Sequence, residues 1–271
     1  MIIFTDLDAS LLNHDDYSFE DAKPALSIIK NLNIPLIITT SKTRKEIEIL
    51  QKELQIYDPF ISENGGGIFF QKGYRGFYIT NCKSVDNYCL IQLGKAYSQI
   101  VDFEKRVMKE ILLKGFYFMS LEEIAELTGL TTQQAKLAKE REFTEPFILY
   151  EKDKYALLEK KADKEDIKIT KGGRFFHFIG KNQDKGKAVK LVKDIFEKNT
   201  GKKFLSVGLG DSKNDIPMLE VVDIPILIRK PDGSYENFEK EGLIKSRYSG
   251  SRGWNEAMFK VFNHVGISSP E

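Results

Sequence analysis

The chain opens with the stretch I-I-F-T-D-L-D at residues 2–8, where a short apolar run is followed at once by two aspartates. A continuous apolar run of this length is typical of a strand that is buried on both faces of a parallel sheet. Asp6 and Asp8 stand at its end, two positions apart, so both carboxylates can project to the same side as the chain leaves the sheet. The stretch predicts a buried strand with a pair of acidic groups at its carboxyl end.

Helical and strand patterns alternate on both sides of a central segment. The predicted elements are a helix over 24–32, a strand over 34–40, a helix over 43–54, a glycine-rich turn between strands at 63–67, a helix from 186, a strand over 204–207, a helix from 213 and a strand over 224–228. Alternation of this kind is typical of an α/β fold with a Rossmann-like parallel sheet. Such sheets have their active sites beyond the carboxyl ends of the strands.

The central segment, residues 81–172, has a different pattern. It is predicted to hold a strand over 88–93, helices over 97–114, 121–127 and 131–140, and a strand over 147–150. This mixture predicts an inserted α+β domain, while residues 1–80 and 173–271 form a discontinuous core domain. The sequence has no linker rich in proline, glycine or serine between the two parts, so we expect one core with a large insertion.

Composition limits the classes of partner. Lys and Arg total 41 against 40 Asp and Glu, so the chain has no overall charge that would attract nucleic acid or an anionic membrane. No apolar run approaches the roughly 20 residues of a membrane span, and the first residues lack the basic segment of a secretory signal. We therefore expect a cytoplasmic protein that acts on a small molecule. Cys82 and Cys89 have neither a zinc nor a C-x-x-C spacing and are expected to be reduced thiols.

A second acidic group follows the later strand, in the stretch G-L-G-D-S-K-N-D at residues 208–215. Asp211 would stand at the same edge of the sheet as Asp6 and Asp8, and carboxylates gathered there favour Mg²⁺. A D-x-D pair alone is as compatible with a turn cap as with a metal site, and the second group favours the metal site. Asp215 is either a further metal ligand or a helix cap, because the serine three positions before it completes the spacing of a capping box.

Cationic residues cluster where two of the predicted helices begin. Lys185 and Lys187 lie in the first turn of one helix, and Lys42, Arg44 and Lys45 lie at the start of the other. Since helix N-termini favour anions by about 0.3 to 1 kcal/mol, such clusters need solvent or a bound anion such as phosphate. A solvated position explains Lys45 and Lys187 better than it explains Lys185.

Hydroxyl groups end the second predicted strand. Thr40 and Ser41 would lie at the crevice, where they can donate to phosphate oxygens. The alternative role, capping the next helix, is better satisfied by Thr43, which has a glutamate three residues later. The strand-end hydroxyls are therefore available for a substrate.

The chain resembles the haloacid dehalogenase superfamily of phosphatases at four motifs: T-D-L-D-A-S-L-L at 5–12, I-T-T-S-K-T-R at 38–44, D-K-G-K at 184–187 and G-D-S-K-N-D at 210–215. The insertion resembles the α+β cap of the group that contains the Cof-type sugar phosphatases. One branch, the mannosyl-3-phosphoglycerate phosphatases, is resembled at S-K-T-R (41–44), S-E-N-G-G-G (62–67), R-E-F-T-E (141–145) and G-G-R-F-F-H (172–177). The resemblance covers nearly the whole chain and fades after about residue 230.

By position, the resemblance implies a phosphatase that forms an aspartyl phosphate. Asp6 would attack phosphorus, while Asp8 would protonate the leaving alkoxide and then activate water. Thr40 and Lys185 would bind the phosphoryl oxygens. Mg²⁺ would be held by Asp6, Asp211 and the backbone carbonyl of Asp8.

The substrate implied by the resemblance is mannosyl-3-phosphoglycerate, which would be converted to mannosylglycerate, a compatible solute. Candidate residues for the glycerate carboxylate and the hexose lie beside the crevice and in the insertion: Ser41, Lys42, Arg44, Asn64, Arg141, Arg174 and His177. Arginine suits bidentate recognition of a carboxylate. For Arg174 and His177 a purely structural position in a strand is equally open.

One position departs from the superfamily pattern, because Ala9-Ser10 stands where Gly-Thr is usual. Ser10 keeps the hydroxyl, but Ala9 adopts a positive φ less readily than glycine, so either the turn does not require it or the site is shifted. The alternative functions are a glucosyl-3-phosphoglycerate or broader sugar-phosphate phosphatase and, less in keeping with the aspartates, a non-catalytic sugar-phosphate binding protein. The hexose and the oligomeric state are left open by the sequence.

Overall fold

A computed structural model of the chain describes residues 1–171 and 175–267. The strands are β1 (Ile2–Thr5), β2 (Leu36–Thr39), β3 (Phe60–Ser62), β4 (Gly67–Gln71), β5 (Lys83–Val85), β6 (Tyr88–Gln92), β7 (Leu113–Gly115), β8 (Thr144–Leu149), β9 (Ile167–Lys171), β10 (Phe176–Gly180), β11 (Ser206–Gly210), β12 (Ile224–Arg229) and β13 (Ile244–Ser249). The helices are α1 (Lys23–Asn31), α2 (Arg44–Leu54), α3 (Tyr97–Val107), α4 (Leu121–Thr128), α5 (Thr132–Lys139), α6 (Tyr155–Asp163), α7 (Lys185–Thr200), α8 (Ile216–Val221) and α9 (Gly250–His264).

The larger sheet has, among the described residues, nine strands in the order β13-β12-β11-β1-β2-β3-β4-β6-β5. The six strands from β13 to β3 pair in parallel, and β4, β6 and β5 add antiparallel pairs. In β1, Ile3 packs in one apolar cluster while Ile2 and Phe4 pack in the other. Both faces of β1 are therefore buried, which explains why it reads as a continuous apolar run. We call this sheet and its helices the core.

A smaller antiparallel sheet, again within the described ranges, has the order β7-β8-β10-β9. Helices α3 and α6 pack on it, and Phe103, Phe147, Leu158 and Phe178 are fully buried or nearly so in the shared apolar cluster. The rings of Phe147 and Phe178 stack with their centroids 3.9 Å apart. We call this sheet and the helices between β6 and α7 the cap. The α/β core with an inserted α+β cap is confirmed.

The predicted ends of the insertion misplace strands at both sides. The strand over 88–93, assigned to the insertion, is β6 of the core sheet, and the segment from 175, assigned to the returning core, becomes β10 of the cap sheet. A boundary at 80/81 or 172/173 would therefore separate strands from the sheet that they hydrogen-bond to. The cause is physical, because the apolar pattern marks a strand but does not identify its hydrogen-bonding partner.

Two further expectations are wrong. The helix predicted over 97–114 ends at Val107, and β7 begins six residues later. Cys82 and Cys89 are not free thiols, because the β5–β6 hairpin folds the chain back and the two residues form a disulfide with Cα atoms 5.3 Å apart. Since disulfides persist chiefly in oxidising compartments, this bond gives no support to the cytoplasmic location expected from sequence. Across the described ranges, none of the helices is both long and apolar enough to cross a membrane.

Candidate active site

The carboxyl ends of β1, β2 and β11 meet at one edge of the core sheet. β11 and β2 flank β1 in parallel, so the residues that follow these strands, Asp6, Thr40 and Asp211, come together. The backbone N–H of Asp6 donates to Leu209 O at 2.9 Å and extends the ladder by one residue. Asp6, Thr40 and Asp211 are all buried. The edge therefore gathers polar groups in a place from which most water is excluded.

Lys185 enters this edge from the first turn of α7. Its Nζ lies 2.6 Å from Asp6 Oδ1 and 2.6 Å from Asp215 Oδ1, and the whole side chain is buried. Burial alone would lower the pKa of Lys185, but Asp215 and Asp6 raise it above its ordinary value. Lys185 is therefore a permanent cation at the centre of the acidic group.

Carboxylate oxygens of Asp6, Asp211 and Asp215 all lie within 4.8 Å of one another. Burial, followed by the charge of Asp215, raises the pKa of Asp6 well above its ordinary value, and the same two causes raise the pKa of Asp211 to about 7. Lys185 opposes both shifts without cancelling them. Three carboxyl groups lie beside a single lysine, so Lys185 cannot balance all of their negative charge. The site therefore suits a bound divalent cation.

Asp215 uses both of its oxygens within the protein. Oδ2 accepts hydrogen bonds from the backbone N–H groups of Asp211 and Ser212 at 3.1 Å each, while Oδ1 pairs with Lys185. The spacing of Ser212 and Asp215 predicted such a cap, and the serine-to-carboxylate contacts confirm it. These bonds favour a role for Asp215 in holding the strand-end turn and Lys185 over direct ligation of a metal.

In the turn after Asp6, the side chains of Asp8 and Ser10 contact different partners. The side chain of Asp8 is 41% exposed and pairs with Lys42 at 2.9 Å, so it faces the crevice instead of the buried carboxylates. Ser10 is fully buried, and its hydroxyl donates to Asp211 Oδ1 at 3.3 Å. Ala9, between them, has φ of 58°. The turn therefore does require the left-handed conformation, and an alanine adopts it in this chain.

Of the predicted substrate residues, Lys42 contacts Asp8, and Asn64 lines a pocket together with Lys185 and Asn214. The Nζ of Lys42 lies between Asp8 and Glu46, 5.1 Å from the centre of the Tyr17 ring. Asn64 follows β3 in a left-handed turn, and its Oδ1 accepts from Asn214 Nδ2 at 3.0 Å. Asn214 was not predicted as a site residue, although it lies within the last of the four motifs.

Arg44, Arg141 and Ser41 are engaged between the core and the cap. Arg44 makes ion pairs with Glu48, Asp86 and Glu142. Arg141 donates to the backbone oxygens of Ala138 and Ser41 and to Thr144 Oγ1. These arginines therefore fasten the cap to the core in this arrangement, and binding of a substrate carboxylate would require them to exchange partners.

His177 lies on β10, and within the described residues its buried Nδ1 has no hydrogen-bond partner. Burial and the nearby Arg141 lower the pKa of His177 to about 3, so the imidazole is neutral. Arg174 lies outside the described residues. Thr40 lies at the strand end, and its Oγ1 accepts a hydrogen bond from the N–H of Lys42 at 3.2 Å. The hydroxyl hydrogen of Thr40 can therefore be donated to a bound group.

Comparisons with known proteins identify the family. The sequence model of a family described as haloacid dehalogenase-like hydrolases matches residues 3–230. The chain belongs to this family of hydrolases. A Persephonella marina protein named glucosyl-3-phosphoglycerate/mannosyl-3-phosphoglycerate phosphatase is 55% identical to this hydrolase over 265 residues, which cover 98% of each chain. A Pyrococcus horikoshii protein named mannosyl-3-phosphoglycerate phosphatase is 38% identical over 227 residues, 84% of this hydrolase and 90% of the relative.

A solved structure shares the fold of this hydrolase. It is a Bacteroides thetaiotaomicron protein described among phosphatases of the haloalkanoate (HAD) enzyme superfamily. The match has a TM-score of 0.65 at 14% identity and covers 98% of this chain and 95% of the other. At this identity the likeness concerns the fold, including the cap, and not the substrate.

Proposed function

We propose that this hydrolase is a Mg²⁺-dependent phosphatase that converts mannosyl-3-phosphoglycerate to mannosylglycerate and phosphate through a phosphorylated Asp6. The observation that carries the proposal is the buried Asp6 held 2.6 Å from Lys185 at the end of the central strand, beside Asp211. A carboxylate fixed next to a cation, in a family of hydrolases, is arranged for nucleophilic attack on an anionic phosphate. The two relatives named for this substrate match most of the chain.

The reaction proceeds in two displacements. In the first, a carboxylate oxygen of Asp6 bonds to phosphorus, the bond from phosphorus to the glycerate oxygen breaks, and that oxygen takes a proton from Asp8. In the second, Asp8 takes a proton from water, which attacks phosphorus and displaces the Asp6 carboxylate as inorganic phosphate forms. Asp8 suits both steps because its half-exposed side chain faces the crevice from which substrate and water arrive.

Positioning of the phosphoryl group is assigned to Lys185 and Thr40. Lys185 is already aimed at Asp6, and the Thr40 hydroxyl lies at the neighbouring strand end. Mg²⁺ would be held by Asp6, Asp211 and the backbone carbonyl of Asp8, with Asp215 supporting the set from behind. When bound, the ion offsets the negative charge of the phosphate and lowers the pKa values of the carboxylates that burial raises.

A second candidate changes only the sugar. The Persephonella marina relative carries both glucosyl and mannosyl substrates in its name, so glucosyl-3-phosphoglycerate is a substrate candidate of equal chemical standing. The two hexoses differ at one hydroxyl, and discrimination then depends on a hydrogen bond made or lost at that hydroxyl. The residues assigned to that contact are the crevice side chains Lys42 and Asn64, with His177 on the cap side.

The test is phosphate release from synthetic mannosyl-3-phosphoglycerate and from its glucosyl counterpart, with Mg²⁺ and after treatment with EDTA. We expect release that depends on Mg²⁺, and the ratio of the two kcat/KM values identifies the preferred sugar. Asp6→Asn is the background control, since it keeps the size of the side chain and removes the nucleophile. Turnover by a purified Asp6→Asn protein would contradict the aspartyl-phosphate route, and no release from either substrate would favour the binding protein.

A further inference from the structure

Glu63 is a buried acidic residue that the reaction above does not use. It lies in the turn between β3 and β4, has no exposed surface, and takes a left-handed φ of 49°, as does Asn64 after it with φ of 58°. Burial raises the pKa of Glu63, while Arg141 and hydrogen bonds oppose that rise. A carboxylate in such a place is costly unless its oxygens are hydrogen-bonded. Its partners therefore indicate what the residue is for.

Those partners belong to the cap. Oε1 of Glu63 accepts from the backbone N–H of Glu142 at 2.8 Å, and Oε2 accepts from the N–H of Phe143 at 3.1 Å and from Thr144 Oγ1 at 2.6 Å. Thr144 is the first residue of β8, which lies between β7 and β10 in the cap sheet. One core carboxylate thus fastens the start of an inner cap strand.

The same turn contacts the segments by which the chain enters and leaves the cap. Gly66 O accepts from the N–H groups of Leu93 and Gly94 at 3.0 and 2.8 Å, on the way in. On the way out, Gln183 Nε2 donates to Glu63 O. A side chain at Gly66 would overlap Phe143 of the cap, so the approach of the two units requires glycine there. The turn is the joint between cap and core.

On its inner side the turn is bonded to the predicted active site. The N–H of Glu63 donates to Lys42 O at 3.0 Å, and the N–H of Asn64 donates to Thr40 O at 2.9 Å. The positions of the cap, of Lys42 and of the strand-end threonine are therefore set by one short segment. Displacement of Glu63 would shift the cap relative to the groups that receive the phosphate.

We propose that Glu63 is a positioning residue that seats the cap on the core, so that a substrate with a large leaving group touches cap and core side chains at once. The inference rests on the proposed phosphatase function. It predicts an effect that depends on substrate size, because a large sugar-glycerate group needs the cap, whereas a small aryl phosphate needs only the strand-end groups. A residue with a purely structural role would affect both substrates equally.

The experiment compares Glu63→Gln with the wild type on mannosyl-3-phosphoglycerate and on p-nitrophenyl phosphate. An amide at this position cannot accept from both sides, so at least one cap N–H loses its acceptor. We expect kcat/KM for the sugar substrate to fall roughly tenfold or more, and kcat/KM for p-nitrophenyl phosphate to stay within about twofold. Hydrogen exchange at the amides of Glu142 and Phe143 should accelerate.

Two further variants complete the design. Thr144→Val removes the hydroxyl that donates to Glu63, and it also removes one of three acceptors of Arg141 among the described residues, which keeps its bonds to Ala138 and Ser41. It should produce the same selective loss on a smaller scale, and it decides the question if Glu63→Gln does not fold. Combined in a double variant, the two losses should be less than additive, because they break the same contact. Glu110→Gln makes the same chemical change at an exposed cap position and should leave both rates unchanged.

Equal loss on both substrates, or no loss on the sugar substrate with unaltered exchange, would overturn the proposal for Glu63. Failure of the proposed function gives a different pattern, since the wild type itself would then release no phosphate from the sugar substrates. The exchange measurement does not depend on the substrate. If the proposed function fails, the exchange measurement still tests whether Glu63 holds the cap on the core. Unchanged exchange at the amides of Glu142 and Phe143 would refute that role.

Discussion

Core and cap each bury a group of carboxyl side chains, but they stabilise these groups in opposite ways. At the core edge, Asp6 and Asp215 flank the Nζ of Lys185 at 2.6 Å. In the cap, Glu104 faces Glu145, and Tyr97 donates to Glu145 at 2.6 Å. The charge of Arg141 acts on Glu145 and lowers its pKa, without cancelling the effect of burial. The core group is therefore built around a buried cation, whereas in the cap pair two carboxyl groups face each other directly.

Burial raises carboxyl pKa values in both groups, and in the cap no neighbouring lysine among the described residues opposes the rise. Burial, followed by the charge of Glu145, raises the pKa of Glu104 to about 8, and burial raises the pKa of Glu145 to about 7. Gly115 permits the approach of the pair, since a side chain there would overlap both carboxyl groups. Buried carboxylates thus indicate an active site when they stand at strand ends around a cation with a crevice beside them. A pair of carboxyl groups that face each other within a packed layer indicates a structural role.

The largest effect should follow from removing the cation of the core group. Lys185→Met leaves Asp6 and Asp215 buried without their partner, so we expect a loss of about 3 to 5 kcal/mol in the free energy of unfolding. Phosphate release should fall about 10²- to 10³-fold, because a donor to the phosphoryl oxygens is lost. Urea unfolding and initial rates measure the two losses.

Lys187→Met is the matched control for that substitution. Lys187 stands in the same helical turn, but its side chain is 54% exposed, its Nζ lies 3.7 Å from Asp184, and it donates to Asn182 O at 3.1 Å. We expect a change within about 0.5 kcal/mol in stability and little change in rate. If both lysine variants behaved alike, the contrast between a charged core group and an ordinary helix start would be lost.

Substitution in the cap pair should raise the free energy of unfolding, whereas loss of Lys185 lowers it. Between the unfolded pKa of Glu104, near 4.5, and its folded pKa, near 8, the folded protein keeps a proton that the unfolded protein releases. Stability therefore falls as pH rises through this range. Glu104→Gln removes the titration and gives Glu145 a donor, so we expect a gain on the order of 2 kcal/mol at pH 8 and almost none at pH 5.

Urea unfolding at the two pH values measures this gain. Glu110→Gln, the exposed cap control, should show no difference between pH 5 and pH 8 that the wild type lacks. A destabilised Glu104→Gln protein at pH 8 would mean that the pair is ionised and held by charge, and the distinction between core and cap would have to be withdrawn.

The sequence predicts the core group far better than the cap group, for a physical reason. Asp6, Thr40 and Asp211 follow short apolar runs, and parallel strands bring such positions to one edge whatever the rest of the chain does. Glu104 has the helical spacing of Ile100 and Val107, and Glu145 alternates with Phe147 and Leu149, so spacing alone places both on a buried face. A glutamate nevertheless predicts an exposed position, and the sequence does not show the glycine and the packing between helix and sheet that bury this pair. The role of Glu63 could not be predicted from the sequence either, because its hydrogen-bond partners lie 79 to 81 residues away along the chain.

The smallest effect concerns backbone strain in two turns with a left-handed residue, one beside the core group and one in the cap. Ala9 has φ of 58° beside Asp8, whereas the cap turn with φ of 54° uses Asp166, a residue type that tolerates this conformation better. Ala9→Gly should therefore raise the free energy of unfolding by about 0.5 to 1 kcal/mol, and Asp166→Gly by less. Thermal unfolding measures both, and phosphate release by Ala9→Gly should stay within about twofold of the wild type, because the turn already has the conformation that glycine would adopt. A tenfold change in rate without a change in stability would instead mean that the Ala9 methyl group itself positions Asp8 or Ser10, and that the core edge depends on packing at this turn as much as on charge.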